Sequence, residues 1–321
     1  MASPHPYLIV TNKRDLTSDF IVRELRNRGL AFHRLNTEDV AQLSLTQRLG
    51  EATTLRIGDT RIKFEAVRAA YFRRPLPPEV DKNGLSQSSV TYIREEWSYL
   101  LRSLYLELGE KWFNHPNNVI FAEDKPRQLR LAQEVGFSVP ETVITNELDS
   151  VERLFADGDV IAKPMKQSLL EDPSGPGSVI YTTTIRSIDE IDPKNLRVAP
   201  VIFQRRLDKR FDLRVTVVEA RTFAVSINSQ KFEKTKTDWR HSSVTELEHE
   251  VIELPEKVAK QCVEIVRRLK LRYGAIDLVL DASGIFWFLE CNPNGQWAWI
   301  ENRTGLPIAA AIVTAMETMS K

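Results

Sequence analysis

The sequence runs Gly274-Ala275-Ile276-Asp277-Leu278-Val279-Leu280, passes through Asp281 to Gly284, and continues as Ile285-Phe286-Trp287-Phe288-Leu289-Glu290-Cys291-Asn292-Pro293-Asn294. Two apolar runs joined by a short polar turn predict a β-hairpin. If residues 281–284 form a tight turn, Asp277 lies opposite Phe288, and Glu290 is its diagonal neighbour on the same face. Asn292 has the parity of Glu290, so three oxygen-bearing side chains are expected on one face of the hairpin.

Two carboxylates and one amide oxygen form a set of ligands that suits Mg²⁺, whose other positions are filled by water and nucleotide phosphates. The alternative is that these three residues are solvated polar groups at strand ends. The acids stand within apolar runs, where an unpaired buried charge is costly, and this context favours the metal site.

The residues before the hairpin predict mixed helix and sheet. An apolar strand at 7–10, a helix that buries Phe20, Ile21 and Leu25 and ends at Gly29, and a strand at 32–35 indicate an α/β unit of about 120 residues. A hairpin around Gly58-Asp59 and a helix at 88–109 with Tyr92, Trp97, Leu100, Leu101 and Leu104 complete this unit, which ends near the turn-rich stretch 114–118.

After this boundary, Asp124 can cap a helix that has Pro126 in its first turn and ends at Gly136. Strands are expected at 139–145, 160–163, 201–203, 213–218 and 222–227, with a mobile loop at 168–178. A helix at 255–272 with a core stripe that includes Cys262, and a last helix from Pro307, follow. The polar stretch 241–250 is expected to be a flexible loop.

The charge is balanced, with 44 Lys and Arg residues against 44 Asp and Glu residues. This argues against a nucleic-acid-binding protein, which needs a basic surplus to neutralise phosphates. Two cysteines are too few for a disulfide framework and fit a reducing interior. No apolar run is long enough to cross a bilayer, and the N-terminus lacks the pattern of a signal peptide. We therefore expect a cytoplasmic protein without a membrane partner.

Several chemistries have no signature here. The chain has no Walker P-loop, no dinucleotide-binding glycine fingerprint, no zinc-ligand spacing and no His beside either Cys. Lys125 at a helix start, Lys163 at a strand end and Arg214 in Asp212-Leu213-Arg214 could each bind a polyphosphate as a positive charge. Taken singly, a residue in such a position is more often a surface residue whose apolar stem packs on the protein.

Taken in order, the motifs resemble those of the ATP-grasp ligases over residues 120–321. They are Asp124-Lys125, Gly136-Phe137-Ser138-Val139-Pro140, Ile161-Ala162-Lys163-Pro164, Phe203-Gln204, Asp212-Leu213-Arg214 and Asp277…Glu290-Cys291-Asn292-Pro293. Within that superfamily the chain is most similar to the peptide cyclases that make microviridins and related graspetides. The segments behind this narrower resemblance are Thr11-Asn12, residues 34–39, Tyr71-Phe72-Arg73-Arg74-Pro75, Trp112-Phe113-Asn114 and Thr237-Asp238-Trp239-Arg240.

The resemblance implies an ATP-grasp fold: an N-terminal pre-ATP-grasp α/β domain (1–120), followed by central (121–202) and C-terminal (203–321) α+β subdomains that hold ATP. It also implies site residues. Lys125 and Lys163 would contact ATP phosphates, Gln204, Arg205 and Leu207 would form the adenine hinge, Asp208 would meet the ribose, Asp277, Glu290 and Asn292 would hold Mg²⁺, and Arg214 and Arg240 would stabilise the transferred phosphoryl group. At the hinge position after Gln204 the family often has Glu, whereas this chain has Arg205.

The resemblance further implies a function. The protein would use ATP to activate Asp or Glu side chains of a ribosomal precursor peptide, with leader and core, and close lactone or lactam rings with Ser, Thr or Lys. It would be a homodimer. Asp189, Glu190 and Asp192 could receive the leader, or form a solvated turn. Arg73 and Arg74 could bind an acidic substrate, or form a structural ion pair. Two alternatives remain: a ligase that adds a free amino acid, and a non-catalytic nucleotide- or peptide-binding scaffold.

Overall fold

A computed structural model describes residues 5–48, 50–57, 60–166, 169–170, 178–179, 182–241 and 247–319. These residues form two compact units. Unit 1 contains residues 1–121, 270–274 and 293–321, and unit 2 contains residues 122–269 and 275–292. Among the described residues, no helix is both long enough and apolar enough to span a membrane.

The helices and strands are numbered in chain order. The helices are α1 (Leu16–Asn27), α2 (Gln87–Leu108), α3 (Pro116–Ala122), α4 (Lys125–Glu134), α5 (Pro193–Val198), α6 (Glu256–Arg268), α7 (Ala298–Thr304) and α8 (Ile308–Met319). The strands are β1 (Tyr7–Thr11), β2 (Phe32–Asn36), β3 (Ser44–Thr46), β4 (Thr54–Ile57), β5 (Thr60–Lys63), β6 (Ala70–Phe72), β7 (Thr142–Thr145), β8 (Val160–Lys163), β9 (Leu169–Leu170), β10 (Ser178–Val179), β11 (Thr183–Ile185), β12 (Val201–Arg205), β13 (Lys209–Val218), β14 (Arg221–Ile227), β15 (His249–Ile252), β16 (Tyr273–Asp281) and β17 (Phe286–Asn292).

Unit 1 is built around a parallel sheet in the order β2-β1-β6. The central strand β1 is buried along its whole length, which explains its continuous apolar sequence. Helix α1 buries Ile21 and Leu25, and Gly29 follows it with a left-handed φ of 65°. A second sheet, β3-β4-β5, is antiparallel, so the predicted hairpin is confirmed, although its turn at 58–59 lies outside the described residues.

Unit 2 contains two larger antiparallel arrangements. The four-stranded sheet has the order β11-β8-β12-β7, and the five-stranded sheet has the order β15-β14-β13-β16-β17. Helix α4 begins as predicted: the Asp124 carboxylate accepts a hydrogen bond of 3.0 Å from the backbone N–H of Arg127, and Pro126 lies in the first turn. Helix α6 buries Val258, Cys262, Ile265 and Val266, which confirms the predicted core stripe.

Some predicted elements differ from the structure. Tyr92 is solvent-exposed on α2 rather than packed inside. The strand expected at 139–145 begins only at Thr142, because residues 138–141 carry Pro140. Helix α7 was not predicted. Of the loop expected at 168–178, residues 169–170 and 178 belong to the short strands β9 and β10, and residues 168 and 171–177 lie outside the described residues. Of the stretch 241–250, residues 242–246 lie outside the described residues, whereas His249 and Glu250 belong to strand β15, so the expected flexible loop is wrong there. The three-part division at 120 and 202 stays a prediction.

Candidate nucleotide and magnesium site

The hairpin of β16 and β17 contains a β-bulge. Asp277 pairs directly with Glu290, whereas Leu278 pairs with Phe288, so Leu289 is the extra residue. The predicted register, with Asp277 opposite Phe288, is therefore wrong. The pattern of apolar residues did not reveal this bulge. An inserted residue changes the parity of every residue that follows it on the strand, so a register predicted for a regular hairpin fails beyond that point.

The bulge has a chemical consequence for the two faces of the hairpin. Phe288 and Leu278 are fully buried in the core, while Asp277 and Glu290 share the other face. Asn292 pairs with Ala275, two residues before Asp277, and so shares the face of the two acids. The predicted set of three oxygen-bearing side chains is thus brought together, by a different register from the one expected.

Asp277 lies beside a buried arginine. The Nε atom of Arg214, on the neighbouring strand β13, is 3.0 Å from Oδ1 of Asp277. The geometry of this contact does not make a hydrogen bond, and Oδ1 of Asp277 with Nε and Nη1 of Arg214 is buried without a hydrogen-bond partner among the described residues. Burial raises the pKa of Asp277 and Glu290 raises it further, while Arg214 partly offsets both effects.

Glu290 lies among positive charges. The Nζ atom of Lys125, at the start of α4, is 3.7 Å from Oε2 of Glu290. Burial alone would raise the pKa of Glu290, but Lys125, Arg240, Lys163 and Arg214 together lower it. The four basic residues that the sequence analysis predicted, which stand far apart in the chain, therefore all lie near one carboxylate.

Lys163 ends strand β8 and is strongly desolvated. Burial lowers the pKa of Lys163 to about 8, and the neighbouring charges of Lys125 and Arg240 act in the same direction, against the effect of Glu290. Removing a lysine from water is costly unless negative charge nearby compensates for it. A bound polyphosphate would supply the missing negative charge.

Arg240 is held by a residue to which the sequence analysis assigned no role. The Asp238 carboxylate, 4% exposed, accepts hydrogen bonds of 2.8 and 2.7 Å from Nε and Nη2 of Arg240. The amino group of Lys209 donates to the Thr237 carbonyl at 2.9 Å and to Asp212 at 3.0 Å, which ties the 237–240 segment to β13. Asp212, Thr237 and Asp238 stand in the motifs named above, but only the fold shows what they contact.

Gln128 is a second residue that was missed. Its side chain donates to the carbonyl of Cys291 at 2.7 Å and accepts from the N–H of Cys291 at 2.8 Å. Cys291 separates Glu290 from Asn292, so helix α4 fixes the backbone of β17 between two of the candidate ligands. The structure shows that Gln128 is buried, whereas the sequence shows only a Gln three residues after Lys125.

The predicted adenine and ribose region lies beside a cavity. A cavity of 230 Å³ is lined by Asp159, Arg206, Leu207, Asp208, Lys209, Gln230 and Lys236. Leu207 and Asp208 are among the predicted residues. Gln204 is buried on β12 and donates to the Thr142 hydroxyl at 2.7 Å, while Arg205 is exposed at the end of that strand. The roles of these residues toward a nucleotide stay predictions.

Two other groups of predicted residues have local structural roles. Arg73 is 1% exposed and pairs with Asp15 at 3.0 Å, and Arg74 donates to the Asn294 carbonyl at 3.2 Å.

The acids of the proposed leader-binding patch cap local turns. Asp192 accepts a hydrogen bond from the backbone N–H of Lys194, and Glu190 accepts from the backbone N–H groups of Arg186 and Ser187. Asp189 accepts from the Ser187 hydroxyl. These contacts favour the structural alternative at each position.

The donor set fits magnesium. In the described part of the chain no three His, Cys, Asp or Glu side chains cluster as a metal site, and the set here is instead two carboxylates and one amide. The unsatisfied Oδ1 of Asp277 and the raised pKa of that carboxyl both indicate a missing positive charge on this face. Oxygen donors next to several basic side chains are the arrangement expected for Mg²⁺ bound together with nucleotide phosphates.

Comparison with known proteins places this geometry in context. No family model and no curated protein sequence matches the chain. Among solved structures, a RiPP-associated ATP-grasp ligase of Chryseobacterium gregarium, in complex with ADP and a leader and core peptide, is 25% identical with a TM-score of 0.87 and covers 97% of this chain and 96% of its own.

Two further structures match along the whole chain. The macrocyclase MdnB of Microcystis aeruginosa MRC is 27% identical, with a TM-score of 0.79 over 98% of this chain and 99% of its own. The ATP-grasp ligase PsnB, complexed with a phosphomimetic variant of its minimal precursor, Mg and ADP, is 25% identical, with a TM-score of 0.77 over 100% of both chains. The chain therefore has the ATP-grasp fold and belongs with the ATP-grasp ligases, where it is similar to RiPP-associated ligases and macrocyclases.

Proposed function

We propose that the protein is an ATP- and Mg²⁺-dependent ligase that closes lactone or lactam rings in a ribosomal precursor peptide. The observation that carries the proposal is the convergence of Lys125, Lys163, Arg214 and Arg240 on Glu290, beside Asp277. The similar structures support it, since those proteins were solved in complex with ADP and a leader and core peptide, or with a precursor variant, Mg and ADP.

The residues of this chain would divide the work on ATP. Asp277, Glu290 and Asn292 would hold Mg²⁺, which neutralises the charge of the phosphates when it is bound. Lys125 and Lys163 would bind phosphate oxygens as positive charges. The cavity that Leu207 and Asp208 line would receive the nucleoside. Phosphoryl transfer depends on positioning and charge neutralisation, which is what this set of side chains can provide.

The proposed ring closure takes place in two steps. A side-chain carboxylate oxygen of the peptide attacks the γ-phosphorus of ATP, the bond from that phosphorus to the β–γ bridging oxygen breaks, and ADP leaves. A Ser or Thr hydroxyl, or a Lys amine, then attacks the acyl carbon, loses its proton and expels inorganic phosphate. Arg214, which lies beside Asp277, and Arg240 would stabilise the negative charge on the transferred group. Each ring removes the elements of one water molecule from the peptide.

The test uses the purified protein, ATP, MgCl₂ and a short peptide rich in Thr, Lys, Asp and Glu encoded beside its gene. Mass spectrometry should show the loss of one water per ring together with release of ADP. Hydroxylamine in a parallel reaction should convert the acyl phosphate to a hydroxamate. ADP release with an unchanged peptide mass and no hydroxamate would contradict the proposal, and Asp277→Asn serves as the inactive control.

The second candidate keeps the fold and changes the acceptor to a free amino acid. Reactions with radiolabelled amino acids separate the two, because only the alternative incorporates label into a peptide or protein. A non-catalytic scaffold would release no ADP under either condition. The homodimer and the leader-binding residues stay predictions of the resemblance, and the cytoplasmic location stays a prediction from the composition of the sequence.

A further inference from the structure

The small sheet of unit 1, β3-β4-β5, has a basic outer face. On its inner face Leu55 and Ile62 are buried, and with the partly buried Leu45 and Ile57 they pack on the core of unit 1. Side chains alternate between the two faces of a strand, so the residues next to these four point outward. The outward residues are Ser44, Thr46, Thr54, Arg56, Arg61 and Lys63. All of them except Thr54 are exposed.

No acid within the three strands balances this charge. Their sequences, SLT, TLRI and TRIK, contain Arg56, Arg61 and Lys63 and neither Asp nor Glu. Arg56 pairs directly with Arg61 on the neighbouring strand. Like charges placed opposite each other destabilise a sheet, whereas one acid in either position would stabilise it. The whole chain has equal numbers of acidic and basic residues, so this one-sided charge is a local feature.

The three basic side chains keep most of their hydrogen-bonding capacity. Nη2 of Arg56 donates to the neutral hydroxyl of Ser44 at 3.1 Å. Within the described part of the chain, the side chains of Arg61 and Lys63 make no ion pair and no hydrogen bond. Solubility alone is served by charges of either sign, and a mixed set would cost the sheet less. An unmixed set of available cations is the arrangement that binds an anionic partner.

The dimensions of this face suit a short extended peptide. Residues two apart on a strand, such as Arg61 and Lys63, are about 6.8 Å apart, and acids at alternate positions of an extended peptide have the same spacing. Three strands about 4.8 Å apart form a face roughly 10 Å wide. Even a single DNA-binding module buries about 600 Å² or more, which is far larger than this face. Size and spacing therefore favour an acidic peptide over a nucleic acid.

We propose that the outer face of the β3-β4-β5 sheet is a docking surface for an acidic, extended segment of the peptide substrate, whose carboxylates pair with Arg56, Arg61 and Lys63. The identity of this occupant rests on the proposed function, because a peptide that supplies Asp or Glu side chains for ring closure is an acidic partner of the enzyme. None of the three basic residues belongs to the candidate nucleotide and magnesium site. The face therefore holds the peptide and takes no part in the chemistry.

The first test measures binding without turnover. The probe is a fluorescein-labelled octapeptide of alternating Glu and Ser, titrated with the nucleotide-free full chain at low ionic strength and followed by fluorescence anisotropy. The wild type should bind it, and the double variant Arg56→Glu with Arg61→Glu should raise the dissociation constant at least about tenfold. The matched control, Lys257→Glu with Lys260→Glu, makes the same change of charge on exposed residues of α6 and should leave the dissociation constant within about twofold.

Three results of this titration would overturn the proposal. They are no binding by the wild type, equal effects of the two double variants, and tighter binding of a labelled single-stranded DNA octamer that the Arg56→Glu, Arg61→Glu variant abolishes. The last result would assign the face to nucleic acid.

The second test separates binding from folding. Arg56→Glu alone replaces a like-charge pair with an opposite-charge pair, so the urea midpoint of this variant should be equal to or higher than that of the wild type. Its affinity for the octapeptide should nevertheless fall, because one cation has become an anion. A lower urea midpoint together with unchanged peptide binding would show that the basic face serves the fold, and would contradict the proposal.

The third test uses ring formation on the precursor peptide. The Arg56→Glu, Arg61→Glu variant should raise the KM for the peptide about tenfold and leave kcat within about twofold, because the face contributes to binding alone. A fall in kcat with an unchanged KM would contradict a docking surface. Absence of ring formation in the wild type would instead refute the proposed function, while the anisotropy titration would still decide whether the face binds an acidic peptide.

Discussion

Two buried guanidinium–carboxylate pairs, one in each unit, have the same length and different surroundings. Arg73 and Asp15 are 3.0 Å apart with side-chain exposures of 1% and 6%, and Arg214 and Asp277 are 3.0 Å apart with exposures of 9% and 15%. Distance and burial alone would give both pairs the same role.

The difference lies in the other contacts. Asp15 also accepts hydrogen bonds from the hydroxyls of Thr11 and Ser18, at 3.0 and 2.6 Å. Arg73 also donates to the carbonyls of Asn294 and Gly295, at 3.1 and 2.9 Å, and within the described part of the chain only its Nη2 has no hydrogen-bond partner.

Arg214 and Asp277, by contrast, leave three polar atoms without a partner among the described residues, and burial raises the pKa of Asp277. A buried ion pair stabilises a fold only when its remaining hydrogen-bonding atoms are satisfied. We therefore interpret the first pair as structural and the second as part of a binding site that is complete only with its ligands.

The sharpest way to break this comparison is to remove the charge of Asp277. Asp277→Asn should lower ring formation and ADP release about 10²–10³-fold, since it removes a candidate metal ligand at the centre of the site. The free energy of unfolding of the nucleotide-free protein should change by less than about 1 kcal/mol, because Arg214 keeps the charge of Glu290 nearby. Mass spectrometry and urea denaturation measure the two effects, and a large loss of stability would assign Asp277 a structural role.

The matched variant in unit 1 should behave in the opposite way. Asp15→Asn leaves Arg73 buried without its counter-charge and should lower the free energy of unfolding by about 3 kcal/mol. Activity per folded molecule should change little. This activity is measured at a temperature at which the variant is fully folded. Loss of turnover in a stable Asp15→Asn protein would show that the comparison is wrong.

A smaller effect is expected at the residue that holds Arg240. Asp238→Asn keeps one hydrogen bond to the guanidinium and loses the other, so Arg240 is less well oriented. We expect kcat to fall about tenfold, because a small misplacement of a catalytic group is expensive in rate. Asp238→Glu, which keeps the charge, should retain more activity than Asp238→Asn. Equal rates for the wild type and both variants would remove Asp238 from the site.

The smallest effect concerns an acid on the same hairpin whose hydrogen bonds are satisfied. Burial would raise the pKa of Asp281, but hydrogen bonds from Trp287, Ser283 and the backbone of Ile285 lower it to about 2. Because the folded-state pKa is lowered, this stabilisation is present above the ordinary value of 3.8 and is lost as the pH falls toward 2.

Asp281→Asn should therefore lower the free energy of unfolding by about 1 kcal/mol at pH 7. The difference in unfolding free energy between this variant and the wild type should shrink as the pH is lowered from 4 to 2. Urea denaturation at pH 7 and across this acidic range measures the difference. A difference that stays constant down to pH 2 would show that the charge of Asp281 is not what stabilises the turn.

Much of the site could be predicted from the sequence because its strands are strongly apolar. Acids inside such runs are conspicuous, so Asp277 and Glu290 were identified before the fold was known. The pairing between them could not be predicted, since the bulge at Leu289 leaves no mark in the alternation of apolar residues. Helix α7 was missed because it is short and starts directly after a turn.

The sequence by itself determined the local elements and the oxygen-bearing face of the β16–β17 hairpin, because both depend on residues that are neighbours in the chain. Only the tertiary structure decided which of the 44 basic residues surround that face, and which acids are satisfied or left without partners. The physical reason is that burial and electrostatic interaction depend on distance in space, and Lys125, Lys163 and Arg240 approach Glu290 only when the strands and helices of unit 2 have packed.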